Sequence, residues 1–130
     1  MADEKSLYAR LGGYDAIAAV TENLLARMMA DPKLGRFWAI RAEDTVRREK
    51  QLLIDFICHS AGGPLLYTGR DMLTSHKGLR ITEDDWATFL VHLNATLDEF
   101  KVPAPEKAAV VGFVQSTKAD IVEHAASAKA

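Results

Sequence analysis

The chain contains a single cysteine, Cys58, which excludes an intrachain disulfide framework and a zinc site made of cysteines alone. No apolar run approaches the roughly 18 residues that a membrane-spanning helix needs. Neither sign of charge dominates, with 16 Lys and Arg against 18 Asp and Glu, so the charge favours neither nucleic acid nor an anionic membrane as partner. The polar start MADEKS lacks the basic and apolar segments of a signal peptide, and we expect a cytoplasmic protein.

Common catalytic motifs are missing as well. The sequence has no HExxH helix, no glycine-rich phosphate loop and no nucleophile elbow. The sequence has four histidines, at His59, His76, His92 and His124. Their spacing does not fit a zinc site on one helix. These absences exclude the commonest hydrolase and nucleotide-binding signatures, so any chemistry has to come from a less local arrangement.

What is present is an ordinary globular composition, with 48% apolar and 26% charged residues in 130 positions. That length predicts one domain over residues 1–130, with a small-residue tail at 125–130 that we expect to fray. Helical periodicity runs through nearly the whole chain and predicts an all-α fold. The expected helices cover residues 6–11, 15–29, about 44–60 with Asp44 or Thr45 as cap, 71–77, 82–100 with a capping box, and about 106–124.

The segment from Gly62 to Leu79 is too irregular for a bundle helix, and a bound ligand is one way to organise it. His76 shares a side of the short helix there with Met72, which suits either a ligand or a satisfied structural histidine. His92 has the same ambiguity in the next helix. Glu49 lies at the edge of the apolar stripe of its helix or lines a pocket.

Five short sequences occur in a particular order along the chain. They are LYARLGG at 7–13, RFW at 36–38, GGP at 62–64, YTGRDM at 67–72 and SHKGL at 75–79. Together this series resembles the group I truncated haemoglobins, the shortened two-over-two globins, and the resemblance extends from residue 7 to about residue 122. It implies a two-over-two helical sandwich around haem b, with His76 as the proximal iron ligand.

The resemblance also assigns roles to the surrounding residues. It implies that Phe37, Trp38 and Trp86 pack beside the haem, that Met72 and Phe89 line its proximal side, and that Leu52, Leu53 and Phe56 line its distal side. Lys50, Lys77 and Arg80 are candidates to pair with the haem propionates, or else carry ordinary solvated charge.

The distal side departs from the family pattern. Leu25 stands where many relatives have tyrosine, Leu53 and Glu49 stand where glutamine is frequent, and Leu52 stands where some relatives have a sixth iron ligand. Bound oxygen is polarised and gains from a hydrogen-bond donor, which these leucines lack. We therefore expect fast O₂ release, easier autoxidation, relatively favoured CO and five-coordinate ferrous iron, unless Glu49 swings inward.

The implied function is reversible binding of diatomic gases (O₂, CO, NO), for oxygen transport, nitric oxide detoxification or sensing. We expect a gas-binding haem protein more than a dedicated enzyme, acting as a monomer or weak dimer with a reductase as a possible partner. Peroxidase-like chemistry with Glu49 as acid and base, and a haem-free globin-fold interaction module, are the alternatives.

Overall fold

The computed structural model describes residues 6–39 and 41–123, and every regular element in those residues is a helix. The α-helices are α1 (Leu7–Arg10), α2 (Gly13–Ala30), α3 (Glu43–Ser60), α4 (Met72–His76), α5 (Glu83–Glu99), α6 (Ala104–Gln115) and α7 (Lys118–Ile121), with one 3₁₀ helix at Leu34–Phe37. The all-α prediction is confirmed. Within the described residues, no helix has the length and hydrophobicity to cross a membrane.

Local signals define the first two helices. The hydroxyl of Ser6 accepts a hydrogen bond from the Ala9 amide at 3.2 Å and caps α1. Gly12 separates α1 from α2 with a φ of +107°, and a Cβ at this position would lie 2.9 Å from the Ala16 side chain. Only glycine fits this turn comfortably, so the double glycine sets the boundary between the two helices.

The predicted cap of α3 is wrong. The helix begins at Glu43 after Ala42, which makes no side-chain cap, and Asp44 already lies in its first turn. The carboxylates of Glu43 and Asp44 act on the positive end of the helix dipole there, and Asp44 also pairs with Arg47.

The predicted last helix is interrupted. α6 ends at Gln115 and α7 begins at Lys118. The hydroxyls of Ser116 and Thr117 donate to the carbonyl oxygens of Phe113 and Val114 at 2.5 and 2.6 Å, and such local bonds compete with the helical ladder. His124 and the tail predicted at 125–130 lie outside the described residues.

The capping box of α5 is confirmed, and it also joins two parts of the fold. The Asp85 amide donates to the Thr82 hydroxyl, and the Thr82 amide donates to the Asp85 carboxylate, each at 3.0 Å. The same carboxylate accepts from Arg36 Nη2 at 2.7 Å. Asp85 is only 3% exposed, so it links the 3₁₀ helix to the start of α5 inside the structure.

Two apolar clusters hold the helices together, and α2 contributes to both. One cluster joins α2, the 3₁₀ helix, α5 and α6 through Leu24, Leu25, Met28, Leu34, Leu93, Leu97 and Val110. The other joins α2 to α3 through Ile17, Ile54 and Cys58. The helix α4 packs instead against α7, which leaves room between α4 and the α2–α3 pair.

Candidate functional site

A cavity of about 770 Å³ opens between the helices. Its wall includes residues from α2, the 3₁₀ helix, α3, α4, α5, α6 and α7, together with the loop at residues 67–70. Most of the side chains on the wall are apolar, and the volume is typical of a site for a small molecule or cofactor. The irregular region between Gly62 and Leu79 therefore forms part of a cavity wall.

His76 lies on this wall at the end of α4, and its ring has a defined hydrogen-bond pattern. Nδ1 lies 2.9 Å from the Met72 carbonyl oxygen and 2.9 Å from the Ser75 hydroxyl oxygen. Because a carbonyl oxygen only accepts hydrogen bonds, Nδ1 carries the proton and Nε2 keeps a lone pair. A histidine whose second nitrogen is held by a carbonyl is typical of a metal ligand.

The surroundings of His76 favour its neutral form. Burial lowers the pKa of the imidazole below its usual value of 6.5, against smaller opposing effects of the Met72 carbonyl and the charge of Glu49. At neutral pH the side chain is therefore uncharged, which is the form that binds a metal ion.

The predicted aromatic and apolar site residues all reach the cavity. The wall includes Phe37, Trp38, Leu52, Leu53, Phe56, Met72, Trp86 and Phe89. Trp86 and Phe89 have ring centroids 5.1 Å apart, and the indole Nε1 of Trp86 donates to Gln115 Oε1 at 3.0 Å. The indole of Trp86 is thus held by a ring contact within α5 and by a hydrogen bond to α6.

The predicted distal residues also lie on the wall. Leu25 is buried on α2, and Leu53 and Glu49 are one turn apart on α3. Leu25 and Leu53 offer no hydrogen-bond donor from their side chains. Glu49 forms an ion pair with Arg41, which lies on the same wall.

The basic residues considered as partners of the haem propionates do not all lie on the cavity wall. Lys77 and Arg80 are not among the residues that line the cavity, and Lys50, which is, forms an ion pair with Glu22 at 2.8 Å. Three further basic side chains, which the sequence pattern did not indicate, line the wall: Arg41, Arg48 and Arg70. Arg48 precedes Leu52 by one helical turn, so helical periodicity could have identified it. Among the described residues, neither Arg48 nor Arg70 has an ion-pair partner.

The structure separates the histidines that the sequence left ambiguous. His92 is not on the cavity wall, and its Nε2 lies 2.7 Å from Asp31 Oδ2. His59 is exposed, with Nδ1 3.1 Å from the Leu65 carbonyl oxygen. Cys58 is completely buried, and burial raises the pKa of its thiol, as expected for an inert core residue.

Tyr67 packs the loop before α4 against the cavity wall. The hydroxyl of Tyr67 donates to the Arg70 carbonyl oxygen, and its ring stands edge-on to Phe56 at 5.3 Å between centroids. This arrangement closes the loop against the wall.

The residues present fit an iron porphyrin. A porphyrin needs a large apolar cavity, an axial ligand nitrogen and cations near its carboxylates. The cavity supplies these as an apolar wall, Nε2 of His76, and Arg48 and Arg70.

Comparison with known proteins supports this interpretation. The family model for bacterial-like globins matches residues 6–123. The chain is 32% identical over 119 residues to a group 1 truncated hemoglobin of Chlamydomonas moewusii. The alignment covers 90% of this chain and 68% of the relative. It is also 31% identical over 113 residues to a group 1 truncated hemoglobin of Mycolicibacterium paratuberculosis. That alignment covers 87% of this chain and 81% of the relative.

Solved structures show the same fold. A point mutant of the truncated hemoglobin from Tetrahymena pyriformis in its Fe(III) form superposes with a TM-score of 0.82 at 25% identity, covering 91% of this chain and 98% of that one. The 2/2 hemoglobin from a Synechococcus species, in the cyanomet state with covalently attached heme, also gives a TM-score of 0.82, at 26% identity and the same coverage. The chain therefore belongs to the bacterial-like globin family, as a group I truncated haemoglobin with the two-over-two fold.

Proposed function

We propose that this protein holds haem b through Nε2 of His76 and reversibly binds the diatomic gases O₂, CO and NO. The observation that carries the proposal is the His76 ring, with Nδ1 tied to the Met72 carbonyl and the rest of the ring at the cavity wall. When bound, haem supplies an iron with one coordination position for a gas. The single cysteine excludes the CxxCH attachment of c-type haem, which supports haem b.

The cavity residues then have distinct tasks. We assign Met72 and Phe89 to the proximal side, Leu52, Leu53 and Phe56 to the distal side, and Phe37, Trp38 and Trp86 to packing against the haem. Arg48 and Arg70 would pair with the propionates, because both lie on the wall and have no ion-pair partner among the described residues.

Fast release of O₂ follows from the distal side chains. Leu25, Leu52 and Leu53 cannot donate a hydrogen bond to a polarised ligand, whereas CO depends less on such a bond. Leu52 also lacks a lone pair to bind iron, which supports five-coordinate ferrous iron.

The alternative functions have less support. Glu49 is the acid–base candidate for peroxidase-like chemistry, but its carboxylate is engaged in the ion pair with Arg41. A haem-free interaction module would not need an open apolar cavity beside His76. Nitric oxide detoxification would need a reductase. A reductase partner, a cytoplasmic location and a monomeric or weakly dimeric state stay predictions of the sequence.

Haem titration tests the proposal. The wild-type protein is expected to bind one haemin per chain, to show a five-coordinate spectrum after reduction, and to release its haem into acid–butanone as haem b does. His76→Ala should lose or shift that spectrum. His59→Ala is the matched control, because His59 is exposed and away from the cavity. Failure of the wild-type protein to bind stoichiometric haem would overturn the proposal.

A further inference from the structure

Arg41 and Glu49 form an ion pair on the wall of the cavity. Arg41 lies in the segment before α3, and its Nη1 donates to Oε2 of Glu49 on α3. Its Nε donates to the Phe37 carbonyl oxygen at 3.3 Å, which anchors the guanidinium beside the 3₁₀ helix. Both side chains are partly exposed, Arg41 at 29% and Glu49 at 40%, so the pair lies where the cavity meets solvent.

Glu49 is distinctive among the charged groups of the wall. Among the described residues, the acidic side chains that line the cavity are Glu49 and Asp85. Asp85 is committed to the α5 capping box and to Arg36. Glu49 pairs with Arg41, so both members of this ion pair lie on the cavity wall.

We propose that the Arg41–Glu49 pair determines ligand specificity by making the cavity select neutral diatomic gases over small anions. This inference rests on the proposed function. While Glu49 accepts from Nη1 of Arg41 and balances its charge, an anion entering the cavity meets a paired guanidinium and faces a carboxylate. A neutral gas carries no net charge, so the guanidinium and the carboxylate do not attract or repel it as they would an ion.

Changing either member of the pair alters the charge without a large change in volume. Glu49→Gln removes the negative charge that balances Arg41 and weakens the hold on its Nη1, and we expect azide to bind the ferric protein about tenfold more tightly. Arg41→Gln leaves Glu49 unpaired, and azide should bind about tenfold more weakly. In both variants the change in azide affinity should exceed any change in the affinity of the ferrous protein for CO, because CO is neutral.

Matched controls come from the ion pair between Asp44 and Arg47 on the same helix. Both residues are highly exposed, with side chains 89% and 67% accessible, and neither lines this cavity. Asp44→Asn and Arg47→Gln therefore repeat the changes in net charge without changing the wall. Azide affinity should stay at the wild-type value in both controls.

A spectroscopic measurement reads the ion pair without measuring ligand affinity. In the ¹⁵N-edited NMR spectrum of the diamagnetic ferrous–CO form, the Nη1–H signal of Arg41 should be resolved and slow to exchange, because Nη1 donates to Glu49. Glu49→Gln should broaden it through exchange with water, whereas Asp44→Asn should leave it unchanged.

The outcomes separate this inference from the proposed function. Normal haem uptake with unchanged azide affinity in Glu49→Gln would overturn the inference alone. The same holds if Asp44→Asn shifts azide affinity as much, or if CO affinity shifts as much as azide affinity. Failure to take up haem would overturn the proposed function and this inference with it.

Discussion

His92 Nε2 lies 2.7 Å from Asp31 Oδ2, and this contact ties α5 to the turn that follows α2. The other carboxylate oxygen of Asp31 accepts the backbone N–H groups of Lys33 at 2.7 Å and Leu34 at 3.0 Å. One side chain thus orders the start of the 3₁₀ helix, which carries Phe37 to the cavity. His92 is therefore linked to the cavity wall through this turn.

The Asp31 contact predicts a pH dependence of stability. The hydrogen bond from His92, with those from the two backbone amides, lowers the pKa of Asp31 from 3.8 to about 2. A carboxylate with a lowered folded-state pKa stabilises the fold fully above 3.8 and loses this contribution as pH falls through about 2. Asp31→Asn should therefore lower the Tm of the haem-loaded protein at pH 6, and by progressively less below pH 4.

Thermal unfolding followed by circular dichroism between pH 6 and pH 3 measures this difference. Asp120→Asn is the control, because Asp120 is exposed on α7 and makes the same change of charge. A difference between wild type and Asp31→Asn that is constant with pH would contradict the assignment.

Local signals predicted some helix boundaries correctly, although the cap expected for α3 was wrong because Ala42 precedes that helix without a side-chain cap. The capping box of Thr82 and Asp85 and the glycine at the start of α2 each define a boundary from neighbouring residues alone. The end of α6 was not predictable, because the apolar stripe continues through Thr117 and Ile121 while hydroxyl groups interrupt the helix.

The site shows the same division between local and distant information. Helical spacing presents His76 and His92 alike, and the resemblance of the SHKGL segment assigned the ligand role to His76. The structure adds that His92 pairs with Asp31, 61 positions earlier in the chain. Which basic residues line the cavity also depends on the course of the loops, which the helical pattern does not predict. Arg70 reaches the wall from the loop before α4, while Lys77 and Arg80, close to His76 in sequence, do not line the cavity.

Asp85 is expected to be a strong determinant of stability. It is 3% exposed, accepts the Thr82 amide and pairs with Arg36 at 2.7 Å. Asp85→Ala removes the capping box and the partly exposed ion pair with Arg36, which together should lower the free energy of unfolding by about 1–2 kcal/mol. Urea denaturation of the haem-loaded protein measures this value.

Asp84→Ala is the control for Asp85→Ala. Its carboxylate is 75% exposed and pairs with Lys33 at the surface, so its loss should change the free energy of unfolding by less than about 1 kcal/mol. Equal effects of the two substitutions would contradict a special role for Asp85.

Haem retention distinguishes the propionate partners. Arg48 and Arg70 line the cavity, whereas Lys77 and Arg80 do not. Arg48→Met and Arg70→Met should each speed haem transfer to an excess of a scavenger apoglobin by up to about fivefold, the effect of one partly exposed ion pair. Lys77→Met and Arg80→Met should leave the rate unchanged. Faster haem transfer in Lys77→Met and Arg80→Met, with no change in Arg48→Met and Arg70→Met, would instead identify Lys77 and Arg80 as the propionate partners.

Leu25 offers the sharpest test of the distal pocket. It lies on the wall and is 8% exposed, so a polar group introduced there would face the cavity. Leu25→Tyr adds a hydroxyl donor, and a hydrogen bond worth about 1 kcal/mol or more slows O₂ dissociation several-fold to about tenfold. Stopped-flow replacement of O₂ by CO measures this rate directly.

Leu25→Phe separates the hydroxyl from the ring. Phenylalanine introduces nearly the same volume into a buried position and carries no donor, so any effect of crowding appears in both variants. Slower O₂ dissociation in Leu25→Tyr but not in Leu25→Phe would assign the effect to the hydrogen bond. Equal rates in the two variants would mean that position 25 does not face the bound gas, and fast release would then need another origin.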